Sequence, residues 1–363
     1  SDVARAEGAA PGDAVRVVNE RGRFLGVAHY SSASQIRLRM LTREDRAIDR
    51  SFFLERLRAA IEFRRRAVRD SDACRLVHAE ADLLPALIVD QYGGHLSAQF
   101  LDQGMDRAAP LIADCLRELL EPASILARND VPVRRLEQLP LEPQVLHGEP
   151  PARVEIGMNG LRLLVDPVHG QKTGVFLDQR ENYVAAARWA RGRGLDLFTC
   201  TGGFSLHAAR ACDSIEAVDS SAAALELAAE NARLNRIENI QWREANAFDY
   251  LTGLASARRQ FDWIVLDPPA FAKSRANLDA ALRAYREINF KALKLLAPGG
   301  VLVTCSCSHH LAEAALLEVV ASAALSTGRT LRVLERRTQA GDHPILLTVP
   351  ETHYLKCLVL QAV

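Results

Sequence analysis

Five short stretches in the second half of the chain carry side chains able to do chemistry. The first is Asp196-Leu197-Phe198-Thr199-Cys200-Thr201-Gly202-Gly203, at the end of an apolar run. Paired glycines there let backbone N–H groups approach a ligand at a helix start. The stretch is neither G-x-G-x-x-G nor a phosphate-binding G-K-S/T, which counts against hydride transfer and nucleotide hydrolysis. Asp219 closes the next run, about 16–20 residues further on, where a carboxylate grips a ribose diol through two hydrogen bonds. Capping the helix that begins at Ser220 is its plainer use. Asn246 follows the third run, placed to meet an adenine amino group, and is equally a common cap. Asp267-Pro268-Pro269-Ala270-Phe271 follows the fourth. Its prolines hold the backbone outside the helical region and remove two N–H donors, so the Asp267 carboxylate faces a cleft with few internal competitors. Thr304-Cys305-Ser306-Cys307-Ser308 ends the fifth, and a thiolate is a strong nucleophile. Cys305 and Cys307 point to the same side by alternation, so periodicity does not choose between them.

These positions need a frame that gathers them. From about residue 154 onward, apolar runs alternate with helical patterns. Runs at 195–198, 215–218, 240–242, 261–266 and 301–304 predict strands. Helices are predicted over 204–212, 222–235, 247–257, 278–296 and 310–324. Strands this apolar are buried on both faces, which means a parallel sheet wound with helices. In such a sheet ligands bind outside the carboxyl ends of the strands, where connections reverse. The closing runs, 330–335 and 354–360, alternate more and suit antiparallel edge strands.

Two further segments precede this one. Residues 1–45 alternate with period two, broken by Gly, Asn and Ser, and predict a small β-barrel. It is too small for a core of its own, so it is packed on its neighbour or cut short at its start. Residues 46–153 predict an α+β domain. This opens with an amphipathic helix over 50–69 whose outer face holds Arg56, Arg58, Arg64, Arg65, Arg66 and Arg69. Such a charge run is usually a solvated face and less often a nucleic-acid contact. Strands over 84–90 and 95–100 and a helix over 105–120 follow, and the Pro-rich stretch 131–151 reads as a linker.

Composition narrows the classes. Apolar residues at 48% and charged residues at 25% exclude a largely disordered chain. The longest apolar runs are far too short to cross a bilayer, so no membrane is expected as a partner. Forty-five basic residues balance forty-five acidic ones, so bulk charge does not hold the chain to nucleic acid. Only five of the basic residues are Lys. The Arg skew suits phosphate forks and base stacking, and a GC-rich genome produces it too. Seven cysteines without C-x-x-C spacing read as a reduced, cytoplasmic protein with no metal site.

Taken together, the stretches resemble class I S-adenosylmethionine-dependent methyltransferases. Nearly the full length resembles bacterial 23S ribosomal RNA cytosine-5 methyltransferases with an N-terminal PUA module. The match rests on Gly12 to Met40, on Arg75-Leu76-Val77-His78-Ala79-Glu80-Ala81-Asp82, and on Lys172-Thr173-Gly174-Val175-Phe176-Leu177-Asp178-Gln179-Arg180. Thr201-Gly202-Gly203-Phe204, Asp267-Pro268-Pro269-Ala270-Phe271 and Ser306-Cys307-Ser308 complete it. The resemblance implies a Rossmann-like domain over 154–363, its seven-stranded sheet mostly parallel with an antiparallel last strand, behind a PUA-like barrel and a middle domain. It implies a missing first barrel strand, hence a truncated start. S-adenosyl-L-methionine is the implied cofactor, held by Phe176, Asp178, Arg180, Asp196, Thr199, Gly202, Asp219, Asn246 and Asp267. Asp178 and Arg180 are expected at its methionine end, and Asn246 stands where an acidic residue is common.

The implied partner is large-subunit ribosomal RNA with a single-stranded or flipped-out base; a homodimer is compatible with the sequence. The resemblance selects Cys307 as nucleophile, since Ser-Cys-Ser is its motif. Its thiolate adds to carbon 6 of cytosine, making carbon 5 nucleophilic enough to take a methyl group. Asp267 is expected to hydrogen-bond the amino group and ring nitrogen 3. Phe176 and Phe271 are candidate stacking partners or core residues. The fourth strand carries no second cysteine, so the base that removes the carbon-5 proton is unassigned. His309 and His310 read as cap or surface residues. Two rivals are a methyltransferase acting on a guanine or exocyclic nitrogen, which needs no Cys, and a non-catalytic RNA-binding protein on the same scaffold.

Overall fold

A computed structural model describes residues 3, 6, 8–168, 170, 175–272 and 277–363. The Lys172-Thr173-Gly174 part of the motif above lies outside the described residues. The chain forms two compact units: Ser1–Met158 with Val165–Leu177 and Gly341–Thr352, and Asn159–Leu164 with Asp178–Ala340 and His353–Val363.

In the first unit, β1 (Ala14–Val18), β2 (Phe24–Tyr30) and β3 (Leu38–Thr42) form an antiparallel sheet. They are followed by α1 (Arg50–Ala67), β4 (Ala73–His78), β5 (Leu87–Tyr92), β6 (His95–Phe100), α2 (Gln103–Leu120), β7 (Ser124–Ala127) and β8 (Gln144–Gly148). Strands β4 to β8 make one sheet in sequence order. Asp49 caps α1 by accepting from Ser51 and Phe52 N–H. The apolar stripe of that helix, Phe52, Phe53, Leu57 and Ile61, packs with Val77, Val89, Phe100 and Ile112. The small sheet is packed on its neighbour through buried polar groups. Ser31 donates to Glu137 at 2.5 Å, and Arg39 pairs with Glu137 at 3.0 Å and with Asp102 at 3.3 Å.

Two expectations are corrected here. Residues 131–151 are more than a linker, because β8 pairs antiparallel with β7. Its prolines lie outside the strand, and an edge position tolerates them. Arg64 is not on the outer face of α1: it is 2% exposed. Its guanidinium grips both oxygens of Asp82 and donates to the carbonyls of Arg75 (2.8 Å) and Asp342 (2.9 Å). A helical wheel counts charge, whereas a bidentate partner reverses a residue's preference for water.

The elements β9 (Val154–Met158) and β10 (Leu161–Val165) lead on to the second unit. There the order is α3 (Arg180–Ala187), β11 (Gly192–Leu197), α4 (Gly203–Ala208), β12 (Cys212–Asp219), α5 (Ala222–Leu234), β13 (Ile240–Glu244) and α6 (Ala247–Ser256). It continues with β14 (Phe261–Leu266), α7 (Leu278–Leu295), β15 (Leu296–Ser306), α8 (Glu313–Ser326), β16 (Leu331–Arg337) and β17 (Lys356–Ala362). The sheet runs β13-β12-β11-β14-β15-β17-β16, with β17 alone antiparallel to its neighbours. This is the Rossmann-like, mostly parallel seven-stranded sheet expected. β17 is not an edge strand, however: it lies between β15 and β16 and all but one of its residues are buried. The polar Lys356 at its start and Gln361 near its end mimic alternation in a run that is otherwise apolar. Helix α4 is shorter than expected, because Cys212 already pairs with Gly192 and begins β12.

Removing one partner of a buried ion pair leaves the other charge stranded. Arg64→Ala is therefore expected to lower stability to urea by about 3–5 kcal/mol. Arg58→Ala, at an exposed position of the same helix, is expected to change it by less than about 0.5 kcal/mol.

Candidate functional site

Strand order reverses at β11, which pairs with β12 on one side and β14 on the other. Loops leaving β11, β12, β14 and β15 at their carboxyl ends therefore face a common crevice. After β11 the backbone is left-handed at Phe198 (φ 65°), Cys200 (φ 50°) and Gly202 (φ 86°). Left-handed geometry at two side-chain-bearing residues costs energy and persists only when the surroundings over-determine it. Here those surroundings are visible. Asp196 is fully buried, and its Oδ2 accepts from Thr199 Oγ1 (2.6 Å), Ser205 N (3.1 Å) and Ser205 Oγ (2.6 Å). Thr199 in turn receives the Gly202 N–H at 2.8 Å and donates its own to the carbonyl of Val218. Asp196 and Thr199 thus shape the loop from beneath.

Gly202 could not be another residue without displacement. A Cβ there would stand 2.8 Å from the Trp242 ring, and one on Gly203 would collide with Tyr183. The N–H groups of Thr199, Cys200 and Gly202 are spent within the protein, on Val218, Asp219 and Thr199, and fix the curve of the loop. Asp219, half-buried at the end of β12, accepts from Cys200 N (2.9 Å) and Ser221 N (2.9 Å). One oxygen is tied to the loop and one to the helix start, and each keeps a further lone pair for a hydroxyl. The glycine cradle, which a side chain would fill, and this carboxylate fit a cofactor that carries a ribose.

Asn246 caps α6, its Oδ1 accepting from Phe248 N (2.9 Å) and Asp249 N (3.3 Å). Both lone pairs of that oxygen are in use, which leaves the amide nitrogen, a donor, for anything outside the helix. Asp267 follows β14, half-buried, and its Oδ1 receives Gln179 Nε2 at 3.0 Å. Gln179 is itself fixed by Asn182, whose Nδ2 donates to its Oε1 at 2.7 Å. Asp178 is buried and accepts from the Tyr354 hydroxyl at 2.7 Å. Arg180 is buried at the start of α3 beside Glu181. Phe176 belongs to the first unit. Phe271 is engaged with Tyr285 (ring centroids 4.8 Å apart) and Phe248 (6.1 Å), at the rim of the core.

The two cysteines left open by alternation differ in setting. Cys305 is fully buried, opposite Cys357 on β17, and burial pushes its thiol well above the usual range, with the Cys357 and Asp267 charges adding. Cys307 is partly exposed, and all seven cysteines are free thiols. Its flanking serines are anchored. Ser306 Oγ donates to the Tyr285 hydroxyl at 2.9 Å, and Ser308 Oγ lies 3.2 Å from that hydroxyl and accepts from Ala272 N. One buried tyrosine on α7 thus clamps both neighbours of the thiol. Lys356 Nζ donates to the Ser308 carbonyl at 2.7 Å. His309 stacks on Tyr354, and His310 is exposed.

Sequence reasoning missed Gln179, Tyr285 and Lys356. The first stands inside a quoted motif, between Asp178 and Arg180. Lys356 had a signal, as a rare lysine opening an apolar run; Tyr285 had none.

Comparison with known proteins now bears on this geometry. The family description "S-adenosylmethionine-dependent methyltransferase" matches residues 138–359, more than half of the chain. The chain belongs to that family. A PUA-like domain matches residues 1–43. The chain is 41% identical over 361 residues to a ribosomal RNA large subunit methyltransferase I from Tolumonas auensis, covering 97% of this chain and 91% of the relative. To the protein of the same name from Shewanella amazonensis it is 42% identical over 356 residues, covering 96% and 90%. Among solved structures, the fold is similar to that of SMU.776 complexed with SAH (TM-score 0.85, 18% identity, covering 97% and 92%). S-adenosylmethionine is therefore the methyl donor. No described helix is long and apolar enough to cross a membrane.

Burial pushes the Asp196 carboxyl up from its ordinary 3.8 to about 6. The folded state therefore holds a proton more tightly than the unfolded state does. Stability from this group is full below pH 3.8 and is lost as pH rises to about 6. In the cofactor-free protein, Asp196→Asn is expected to be more stable than wild type at pH 7.5, by up to about 3 kcal/mol. The difference should shrink toward pH 4, as read by urea unfolding at both values.

Proposed function

We propose that this chain transfers the methyl group of S-adenosylmethionine to carbon 5 of a cytosine in large-subunit ribosomal RNA, in the cytoplasm, through a transient bond between Cys307 and the base. The observation that carries the reading is the partly exposed, doubly anchored Cys307 at the end of β15, the strand beside the one that ends in Asp267. The substrate class is supported by the names of the relatives.

The backbone around Gly202 and the Asp219 carboxylate would hold the cofactor, with Asp178 and Arg180 toward its methionine end and Asn246 toward its adenine. When bound, the cofactor supplies an electrophilic methyl group on a sulfonium. The residues of this chain do the rest. Cys307, as thiolate, forms a bond to carbon 6, and the electron pair of the 5,6 double bond is pushed into the ring. Asp267, oriented by Gln179, accepts from the exocyclic amino group through one carboxyl oxygen and, protonated on the other, donates to ring nitrogen 3, which takes up that charge. Carbon 5 then takes the methyl group. Loss of the carbon-5 proton to water restores the double bond as sulfur leaves. Cys305 is sealed in the sheet and takes no part.

Nucleoside mass spectrometry of ribosomal RNA from cells with and without the gene tests the product. The expected loss is one 5-methylcytidine from the large subunit; loss of a methylated guanine instead would overturn the reading. Cys307→Ala is expected to reduce methylation by at least about a thousandfold while leaving S-adenosylmethionine affinity within a few fold. Cys305→Ala is expected to retain methylation.

A further inference from the structure

Lys356 opens β17 and is 2% exposed. Its ammonium donates to two backbone carbonyls, Ser308 at 2.7 Å and Tyr354 at 2.8 Å. Among the described residues no carboxylate is paired with it. Burial pulls it down from 10.5 to about 8, while the charges of Cys307, first, and of Glu313 hold it up. Glu313, at the start of α8, is paired with Arg336 of β16, so much of its charge is answered elsewhere. At neutral pH the site therefore contains a desolvated cation bonded to the carbonyl of the residue after Cys307.

Such a cation is costly, and two neutral carbonyls offset only part of the lost hydration. The chain otherwise prefers arginine, with only five lysines among forty-five basic residues. Lys brings a compact point charge that reaches both carbonyls. Hydrogen bonding to carbonyls alone does not need a full charge. A neighbouring thiolate does.

We propose that the Lys356 ammonium is the fixed counter-charge of Cys307, a positioning residue that holds the 307–308 backbone through the Ser308 carbonyl and favours the thiolate before the base arrives. In that step the Cys307 S–H bond breaks, the proton passes to water, and the electron pair stays on sulfur; Lys356 keeps its three protons. An adjacent cation is a standard means of raising the thiolate fraction at neutral pH. Tyr285 also responds to the Cys307 charge, and its hydroxyl is neutral and held by Ser306 and Ser308. The inference rests on the reading of Cys307 as nucleophile, and its test is independent of methylation.

The test is iodoacetamide alkylation of the full chain, followed for each cysteine peptide by mass spectrometry between pH 6 and 10. Wild type, Lys356→Gln and Lys356→Arg are compared, with half-buried Cys200 as internal reference. Gln keeps two N–H donors for the carbonyls and removes the charge. Its Cys307 is expected to alkylate about tenfold more slowly at pH 7, the consequence of about one pH unit in thiolate population. Lys356→Arg is expected to stay within about threefold, and Cys200 to be unchanged throughout. An unchanged Cys307 profile in Lys356→Gln would overturn the proposal. Wild type alone also decides it, should the variant not fold: a Cys307 midpoint at or above the ~8.5 of a free thiol overturns it. Active Cys307→Ala enzyme would instead remove the nucleophile reading and leave the alkylation result standing.

Discussion

Strand β11 is hydrogen-bonded to β12 on one side and β14 on the other, and the rest of the site depends on that reversal. Connections from the two sides leave in opposite directions, which opens a crevice at the carboxyl ends of the join. Backbone groups and side chains there are free to face a ligand instead of a neighbouring turn. The left-handed residues after β11, the Asp219 carboxylate after β12 and Asp267 after β14 all stand at this edge.

The crevice is held open by buried polar groups. Asp196 is submerged beneath its loop and binds three donors with one oxygen. This keeps Phe198 and Cys200 in conformations they would otherwise leave. Gln179 aims Asp267, and Asn182 aims Gln179. On the far side Tyr285 grips Ser306 and Ser308, so the cysteine between them rests on a rigid segment. Asp267 and Cys307 are thus each backed by a buried side chain, the arrangement that holds a site's geometry to fractions of an ångström.

Cys305 in β15 and Cys307 just beyond it show how setting decides chemistry. They are two residues apart and start from the same side chain. Cys305 lies within the ladder opposite Cys357, where desolvation suppresses ionisation. Cys307 lies just past the last paired residue, Ser306, where the sheet ends and solvent begins. Reactivity of a thiol follows charge and access, and a difference of two positions changes both.

Local patterns in the chain were enough to determine the parallel sheet, the order of its helices, the strand ends that matter and the amphipathic stripe of α1. These follow from periodicity, from glycine and proline punctuation, and from the burial of parallel strands, all of which act over a few residues. Only the tertiary structure decided what depends on partners distant in sequence. Arg64 is buried because Asp82 and the carbonyl of Asp342 receive it; β8 exists because β7 pairs with it; β17 is interior because β16 returns beside it. Asn246 spends its oxygen on its own helix, and Lys356 meets Ser308 from 48 residues away. Hydrogen bonds and ion pairs are short-ranged in space and indifferent to separation along the chain, so no window of sequence contains them.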